Sequence, residues 1–290
     1  MADDLTQRLV KPDELRLARQ FGALARGNPQ AIRLDLCCLL IGRIVDPAFD
    51  QLEALTRLEQ LAGEARADTA ASVSSRIERL CAVLFEERGF RGDTDTYYEP
   101  HNCCLHATLE NGRGMPITLA VLMIEVGRRV GLELQGVGAP FHFIVKYHDP
   151  DDGREHFLDP FRGGREIDRD ALFERLNAMH RGVGPEPESF LAAVTKRQML
   201  QRILTNLKGA AVRKRDYQAA ISATDFLLAL SPWSLEDRRD RGLLCYQTGQ
   251  FIEALDDLQQ YHEHAADAPD AERVAEFIER VRVRIAEGSH

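Results

Sequence analysis

Long apolar runs are absent from this sequence, and so is a recognisable export signal. No segment approaches the roughly 18 consecutive apolar residues that are needed to cross a bilayer. The first twenty residues, MADDLTQRLVKPDELRLARQ, are acidic and helical in pattern, whereas an export signal is basic, then apolar, then small. We therefore expect no membrane segment and a cytoplasmic protein.

An excess of positive charge is also missing. The chain has 37 Lys and Arg against 46 Asp and Glu, and its formal net charge is -9. Proteins that bind nucleic acid cluster surplus Lys and Arg on one face, whereas the short basic stretches here, 213–215 and 238–239, are diluted by neighbouring acidic residues. We therefore expect no nucleic-acid partner, and the composition argues against a DNA-binding regulator.

Cysteines are few, and their spacing does not suit a disulfide framework. Six occur in 290 residues, and four of them form the adjacent pairs Cys37-Cys38 and Cys103-Cys104. Secreted disulfide scaffolds are short and dense in cysteine, so we expect reduced thiols here. No motif in the chain points to a cofactor.

The middle of the chain changes from helical to strand periodicity. Gly114-Met115-Pro116 leads into ITLAVLMIEVGRRVG, in which Pro116 suits the first helical turn and Gly131 the residue after the helix. The alternating segment FHFIVKYHD and the segment REHFLDPF, separated by the turn signal DPDDG, predict two antiparallel strands. Because helical patterns occupy most of the chain on both sides, we predict a mostly helical α+β fold.

The C-terminal part contains an internal repeat with a period of 34 residues. Tyr217 and Ala220 align with Phe251 and Ala254, and 34 residues is the tetratricopeptide period. The first copy is degenerate, because Arg215 stands where its turn glycine would fall. The residues expected to pack the repeats are Tyr217, Ala220, Gly242, Tyr246, Gly249, Phe251 and Ala254.

A linker separates the repeat tail from the rest of the chain. The stretch RGVGPEPES, residues 181–189, combines Gly, Pro and Ser with little apolar content. We therefore predict a first domain over residues 1–185 and a tetratricopeptide-like helical domain over residues 190–290. Helical repeats stack into concave surfaces that suit peptides, so we expect a protein or peptide partner for the tail.

The order of these parts resembles a papain-like or transglutaminase-like fold. It is closer still to the bacterial transglutaminase-like proteins with a tetratricopeptide tail, often labelled regulators of sirC expression (the SirB-type family). The residues that carry the resemblance are Tyr98, Asn102 and Leu105, followed by GRGMPITLAVL, GVGAPFHFIVKY and FLDPFRGG. The resemblance implies a papain/transglutaminase-like core with N-terminal helices. It also implies a triad of a Cys nucleophile at a helix N-terminus, His142 as base and Asp159 as its orienter.

The nucleophile of that pattern is missing from this chain. Aligned on Gly131, its position falls on Pro116, and the nearby Thr118 hydroxyl lacks the acidity of a thiol. We therefore interpret the chain as a pseudoenzyme, a non-catalytic binding or scaffold protein to which the family label adds a regulatory role. Its candidate binding groove comprises Asn102, Thr118, His142 and Asp159.

The segment HNCCLH, residues 101–106, admits a metal site as one interpretation and a displaced nucleophile as another. The metal interpretation has poor geometry, because neighbouring Cys side chains diverge and structural zinc pairs are usually two to four residues apart. In the nucleophile interpretation, Cys103 or Cys104 acts with His142 and Asp159 in a cysteine-dependent amidase, protease or transamidase.

The interpretation of HNCCLH that we favour is packing. Asn102 then caps or braces a short helix, and the two thiols act as small fillers. His101 and His106 are expected to be exposed polar residues.

Overall fold

The computed structural model describes residues 12–66, 71–139, 142–179 and 190–288. The chain forms two compact units, which we call the core unit, Asn28–Ile203, and the repeat unit, Met1–Gly27 with Leu204–His290. The helices are α1 (Pro12–Ala25), α2 (Leu34–Gly42), α3 (Gln51–Ala65), α4 (Val73–Cys81), α5 (Leu105–Asn111), α6 (Pro116–Arg129), α7 (Arg169–Met179), α8 (Lys196–Lys214), α9 (Tyr217–Leu230), α10 (Leu235–Gln247), α11 (Phe251–His264) and α12 (Ala271–Gly288). Among these helices of the described chain, none has the length and apolar character that a bilayer crossing requires.

The strands all belong to the core unit. They are β1 (Arg91–Gly92), β2 (Arg113–Gly114), β3 (Gln135–Val137), β4 (Ile144–Asp149), β5 (Arg154–Asp159) and β6 (Arg165–Ile167). The short β1 and β2 pair in parallel, and the other four form an antiparallel sheet of order β3-β4-β5-β6. The predicted α+β fold, with its two antiparallel strands after a helix, is confirmed.

Helix α6 precedes this sheet and is buried along most of its length. Pro116 occupies the first turn, where its missing N–H costs nothing, and every residue from Pro116 to Gly127 is buried. Gly131 follows the helix with φ of +75°, a left-handed conformation that glycine adopts readily. Residues 144–147 of β4 are buried on both faces of the strand and His148 is exposed, so the alternating pattern does not separate core from solvent along most of its length.

The repeat unit shows the 34-residue period in its helix starts. Helix α9 begins at Tyr217 and α11 begins at Phe251. Just before each of them lies a left-handed residue, Arg215 with φ of +60° and Gly249 with φ of +76°. Arg215 therefore adopts the turn conformation that a glycine supplies in the next copy, at a cost of about 1 kcal/mol. The predicted helical repeat is confirmed.

Several of the predicted repeat-packing residues are buried or lie at helix contacts of this unit. Ala220 and Ala254 are completely buried. A Cβ added to Gly242 would lie 2.8 Å from Leu258 Cγ, so only glycine lets α10 and α11 approach this closely. The Tyr246 ring lies 5.8 Å from the Phe251 ring in an edge-to-face arrangement.

Helix α1 belongs to the repeat unit, whereas the sequence placed residues 1–185 in one domain. The buried rings of Phe21 on α1 and Phe226 on α9 lie 4.8 Å apart, centroid to centroid. No local pattern reveals a contact between residues so distant along the chain. The predicted linker, residues 181–189, lies outside the described residues, and the boundary placed there stays a prediction.

Candidate functional site

His142 and Asp159 are hydrogen-bonded to each other in the core unit. Nε2 of His142 lies 2.8 Å from Oδ2 of Asp159. The Asp159 side chain is 4% exposed and the His142 side chain is 22% exposed. When Nε2–H donates to the carboxylate, the neutral ring keeps an acceptor at Nδ1, to which none of the described residues donates a hydrogen bond. The base and orienter of the triad pattern are therefore paired, and one ring nitrogen remains for a ligand.

The segment DPFRGG explains how Asp159 is held. Its Oδ1 accepts hydrogen bonds from the backbone N–H groups of Phe161 at 3.1 Å and Arg162 at 3.2 Å, which caps the short 3-10 turn Pro160–Arg162. Gly164, with φ of +69°, turns the chain back and donates its N–H to the Asp159 carbonyl at 2.8 Å. One carboxylate oxygen thus accepts hydrogen bonds from the backbone, and the other is hydrogen-bonded to the imidazole.

His142 lies in a turn before β4, whereas the sequence placed it within the strand. Its N–H donates to the Ala139 carbonyl at 3.1 Å, and the two residues between them lie outside the described residues. Strand pairing begins two residues later, with Ile144 opposite Val137. The turn rather than the pleat of the strand therefore sets the direction of the imidazole.

The side chain of Arg202, on α8, donates hydrogen bonds to the backbone of this turn. Its Nη2 donates to the carbonyl of His142 at 2.9 Å and to the carbonyl of Ala139 at 3.3 Å. Its guanidinium carbon lies 5.4 Å from the centre of the Phe143 ring. A residue 60 positions downstream thus positions the backbone on which His142 stands.

Aromatic rings form another part of the site. The Phe161 ring lies 6.2 Å from the His142 ring and 6.2 Å from the Tyr97 ring, both in edge-to-face arrangements. Gly92 allows this placement, because a Cβ there would lie 2.4 Å from the Phe161 ring.

The N-terminus of α6, where the triad pattern places a thiolate, carries Met115 and Pro116. Thr118 is buried, and its hydroxyl donates to the carbonyl of Asn102 at 2.8 Å. A hydroxyl whose proton is committed to a carbonyl, without an adjacent base, is not activated for attack. Thr118 therefore braces the segment before α6.

Asn102 braces a loop and does not cap a helix. Its Nδ2 donates to Asp93 Oδ2 at 3.2 Å and to the Thr96 carbonyl at 2.7 Å. The residue before α5 is Cys104, whose side chain makes no capping hydrogen bond. Of the two roles expected for Asn102, the structure shows the bracing one.

Both thiols of the pair Cys103-Cys104 are buried in the core unit. Cys103 Sγ lies 3.5 Å from Met115 Sδ, and Cys104 Sγ lies 3.5 Å from the Pro100 carbonyl. Burial raises the pKa of Cys103 to about 12, and it raises the pKa of Cys104 well above the ordinary value. Neither thiol has a hydrogen bond to His142 among the described residues. These environments favour the thiol over the reactive thiolate.

The expectation that His106 is exposed is wrong. Its ring is 2% exposed and stacks on Phe49 with centroids 4.0 Å apart. Burial lowers the pKa of His106 to about 4, and its Nδ1 has no hydrogen-bond partner among the residues that the structure describes. His101 is exposed, as expected. Within the described residues, the ligand atoms of HNCCLH do not gather into a metal-binding group of three.

Comparison with known proteins agrees with this architecture. Residues 52–205 match the transglutaminase-like superfamily, and residues 207–279 match the tetratricopeptide repeat. A UPF0162 protein of Xylella fastidiosa is 39% identical over 244 residues, which cover 82% of this chain and 86% of that protein. The chain belongs to the UPF0162 family.

Other relatives in this family carry individual names. YchA of Escherichia coli is 25% identical over 240 residues, which cover 81% of this chain and 86% of that protein. Protein SirB1 of Salmonella typhimurium is 24% identical over 236 residues, which cover 80% of this chain and 84% of that protein. The SirB-type resemblance inferred from the motifs is confirmed.

Sequence reasoning missed three contributors to this site of the UPF0162 chain, Tyr97, Phe161 and Arg202. Phe161 lies inside the motif FLDPFRGG, and its position two residues after Asp159 is the signal that could have identified it. Arg202 had no such signal, because it lies on a helix far from His142 in the sequence.

Proposed function

We propose that this chain is a non-catalytic binding protein whose repeat unit takes a protein or peptide partner. The observation that carries the proposal is a groove of about 670 Å³ in the repeat unit. Apolar grooves of this size accept a few side chains of a ligand and use a small number of polar groups to orient it. The groove is lined by Thr205, Lys208, Gly209, Val212, Tyr217, Asp240, Leu243, Leu244, Gln247 and Phe277.

Two features of the groove residues fit the binding of a partner segment. Val212 exposes 41% of its surface, although the groove also contains the apolar side chains of Leu243, Leu244 and Phe277. Gly209 lies within α8, and a Cβ there would meet no atom within 4 Å. Glycine in a helix interior costs about 1 kcal/mol relative to alanine, and no internal packing requires it here. A ligand that approaches the helix backbone closely accounts for both features.

The two charged residues that line the groove, Lys208 and Asp240, are paired with each other. Lys208 Nζ lies 3.0 Å from Asp237 Oδ1 and 2.8 Å from Asp240 Oδ2. The positive charge of Lys208 is therefore compensated, and the carboxylates that hold it offer hydrogen-bond acceptors. The partner that fits is therefore an apolar segment with few polar groups, such as one face of an amphipathic helix.

The alternative, a cysteine-dependent amidase, protease or transamidase, requires an accessible and acidified thiol. Cys103 and Cys104 are buried, and burial shifts the pKa of both thiols upward. We therefore favour a pseudoenzyme in which His142 and Asp159 contact a ligand without forming a covalent bond. A regulatory role and a cytoplasmic location complete the proposal; the six free cysteines are in keeping with a reducing compartment.

The test compares two substitutions of exposed apolar residues in the full chain. Val212→Arg places a charge in the groove, whereas Ile252→Arg, at a residue that is 74% exposed on α11 and does not line the groove, is the matched control. Each variant is first checked for native circular dichroism and then used as bait beside the wild-type chain. We expect Ile252→Arg to retain the proteins that the wild type retains, and Val212→Arg to lose them. Equal retention by both variants would overturn the proposal.

A further inference from the structure

Four half-buried side chains meet around the turn that carries His142, and we call them the Arg202 cluster: Tyr97, His142, Phe161 and Arg202. Phe161 contacts the rings of both His142 and Tyr97. The Tyr97 hydroxyl is close enough to Arg202 to affect the pKa of each group. Arg202 completes the cluster through its hydrogen bond to the His142 carbonyl at 2.9 Å. Each member keeps part of its surface in solvent, so a ligand can reach the cluster.

Only some of the N–H donors of the Arg202 guanidinium have acceptors among the described residues. Its hydrogen bonds to the described residues come from Nη2 and end on the backbone carbonyls of Ala139 and His142. Arginine has five N–H donors, so the two on Nη1 and the one on Nε have no acceptor among the described residues. Gly138 leaves room beside Nη1, since a Cβ there would lie 3.3 Å from it.

The positive charge of Arg202 has no carboxylate to balance it among the described residues. Several other partly buried guanidinium groups of the chain are neutralised, as Arg129 is by Asp35 at 2.6 Å and Arg241 is by Asp257 at 2.7 Å. Burial lowers the pKa of Arg202, and the Tyr97 hydroxyl opposes this effect. A partly desolvated charge without a counter-ion is costly, and a bound anion would relieve that cost.

The carboxylate of Asp159, which is paired with His142, already accepts several hydrogen bonds. It receives hydrogen bonds from His142 and from the backbone N–H groups of Phe161 and Arg162. The Arg162 guanidinium lies 3.7 Å from it. The Asp159 carboxylate is therefore paired with these groups, and it does not balance the positive charge of Arg202.

We propose that the Arg202 cluster binds a peptide carboxylate, with the carboxylate on the free N–H groups of Arg202 and its aliphatic stem against the rings of Phe161 and Tyr97. Charge-assisted hydrogen bonds supply the polar contact, and the two rings supply the apolar one. The carboxylate comes from a Glu or Asp side chain or from a chain terminus. This site lies in the core unit and does not depend on the groove of the repeat unit.

The first experiment uses the wild-type full chain and needs no variant. N-acetylglutamic acid N-methylamide, its glutamine counterpart and N-acetylalanine are titrated separately while the Arg side-chain Nε–H signals are followed by NMR. We expect the Arg202 signal to shift with the glutamate probe or with N-acetylalanine, which assigns a side chain or a terminus respectively, and to stay unchanged with the glutamine probe. If neither carboxylate probe shifts it, or if the glutamine probe shifts it equally, the proposal is overturned.

The second experiment tests the assignment to Arg202. Arg202→Gln removes the charge, and Arg202→Lys keeps it while losing the planar arrangement of donors. Arg76→Gln is the matched control, because Arg76 is also half-buried and also donates to a backbone carbonyl, that of Val130. The carboxylate probe should bind Arg202→Gln at least tenfold more weakly, Arg202→Lys with intermediate affinity, and Arg76→Gln as it binds the wild type. Equal affinity for Arg202→Gln and Arg76→Gln, with both variants folded, would assign the binding elsewhere.

Discussion

Iodoacetamide should alkylate Cys103 of the native chain about a hundredfold more slowly than it alkylates a free cysteine, or slower still. Burial raises the pKa of this thiol to about 12. At about pH 7.5, roughly three thiols in 10⁵ are then ionised, against about one in ten for an ordinary cysteine with a pKa near 8.5. The greater nucleophilicity of the more basic thiolate recovers about one and a half of those three and a half orders of magnitude.

Burial slows the reaction further, because the reagent must reach a side chain in a residue that is 2% exposed. The assay mixes the full chain with iodoacetamide, quenches at intervals and measures each cysteine-containing peptide by mass spectrometry. The same chain in urea gives the ordinary rate and serves as the reference. Adding a cysteine-directed peptide electrophile should label neither Cys103 nor Cys104.

The decisive comparison is with the His142→Ala variant. If Cys103 does no chemistry with the imidazole, its slow rate should be the same in the wild type and in the variant. Fast labelling in the wild type that disappears in the variant would show that His142 acidifies the thiol. The cysteine-enzyme alternative would then replace the binding function proposed above.

Four further substitutions test the packing and charges of the structure. Asp159→Ala should lower the free energy of unfolding in urea by about 1 to 3 kcal/mol, because it leaves His142 and two backbone N–H groups without their acceptor; an unchanged value would contradict the hydrogen bond. Burial lowers the pKa of His106 to about 4, below the unfolded value of about 6.5, so its stabilising effect is present above about pH 6.5 and is lost as the pH falls toward 4. His106→Phe should therefore flatten the dependence of unfolding free energy on pH in that window, and an identical slope would refute the argument. Gly209→Ala should stabilise the chain by about 1 kcal/mol, whereas Gly242→Ala should destabilise it by about 1 to 3 kcal/mol, because only the second Cβ meets a packed side chain; the same sign for both would mean that the helices are packed differently.

The His142–Asp159 pair was predictable because its signals are local. Asp159 stands in DPFRGG, whose aspartate and glycines make a capped turn, and His142 stands at the head of a strand that pairs with the one ending in Asp159. Antiparallel pairing of neighbouring strands brings such positions together without help from distant residues. What the sequence did not show is the turn that places His142 before the strand.

Burial inside HNCCLH could not be inferred in the same way. Cys103 and Cys104 were expected to pack, but the same pattern suggested that His106 would be exposed. In the structure His106 fills a space against Phe49, and Gly42 lies so close that a Cβ there would be 2.3 Å from Nδ1. Whether a polar residue is buried depends on the space that other elements leave around it. The sequence of its own segment does not determine that space.

The sequence by itself determined the helical repeat, the α+β order of elements, the family and the loss of the thiol at the start of α6. These depend on periodicity, turn residues and motif order, which act over a few neighbouring residues. Only the tertiary structure decided that Arg202 holds the His142 turn, that α1 belongs to the repeat unit and that Cys103 is held as a thiol. Each of these depends on burial or on contacts between residues far apart in the chain, where the free energy comes from packing that no local pattern records.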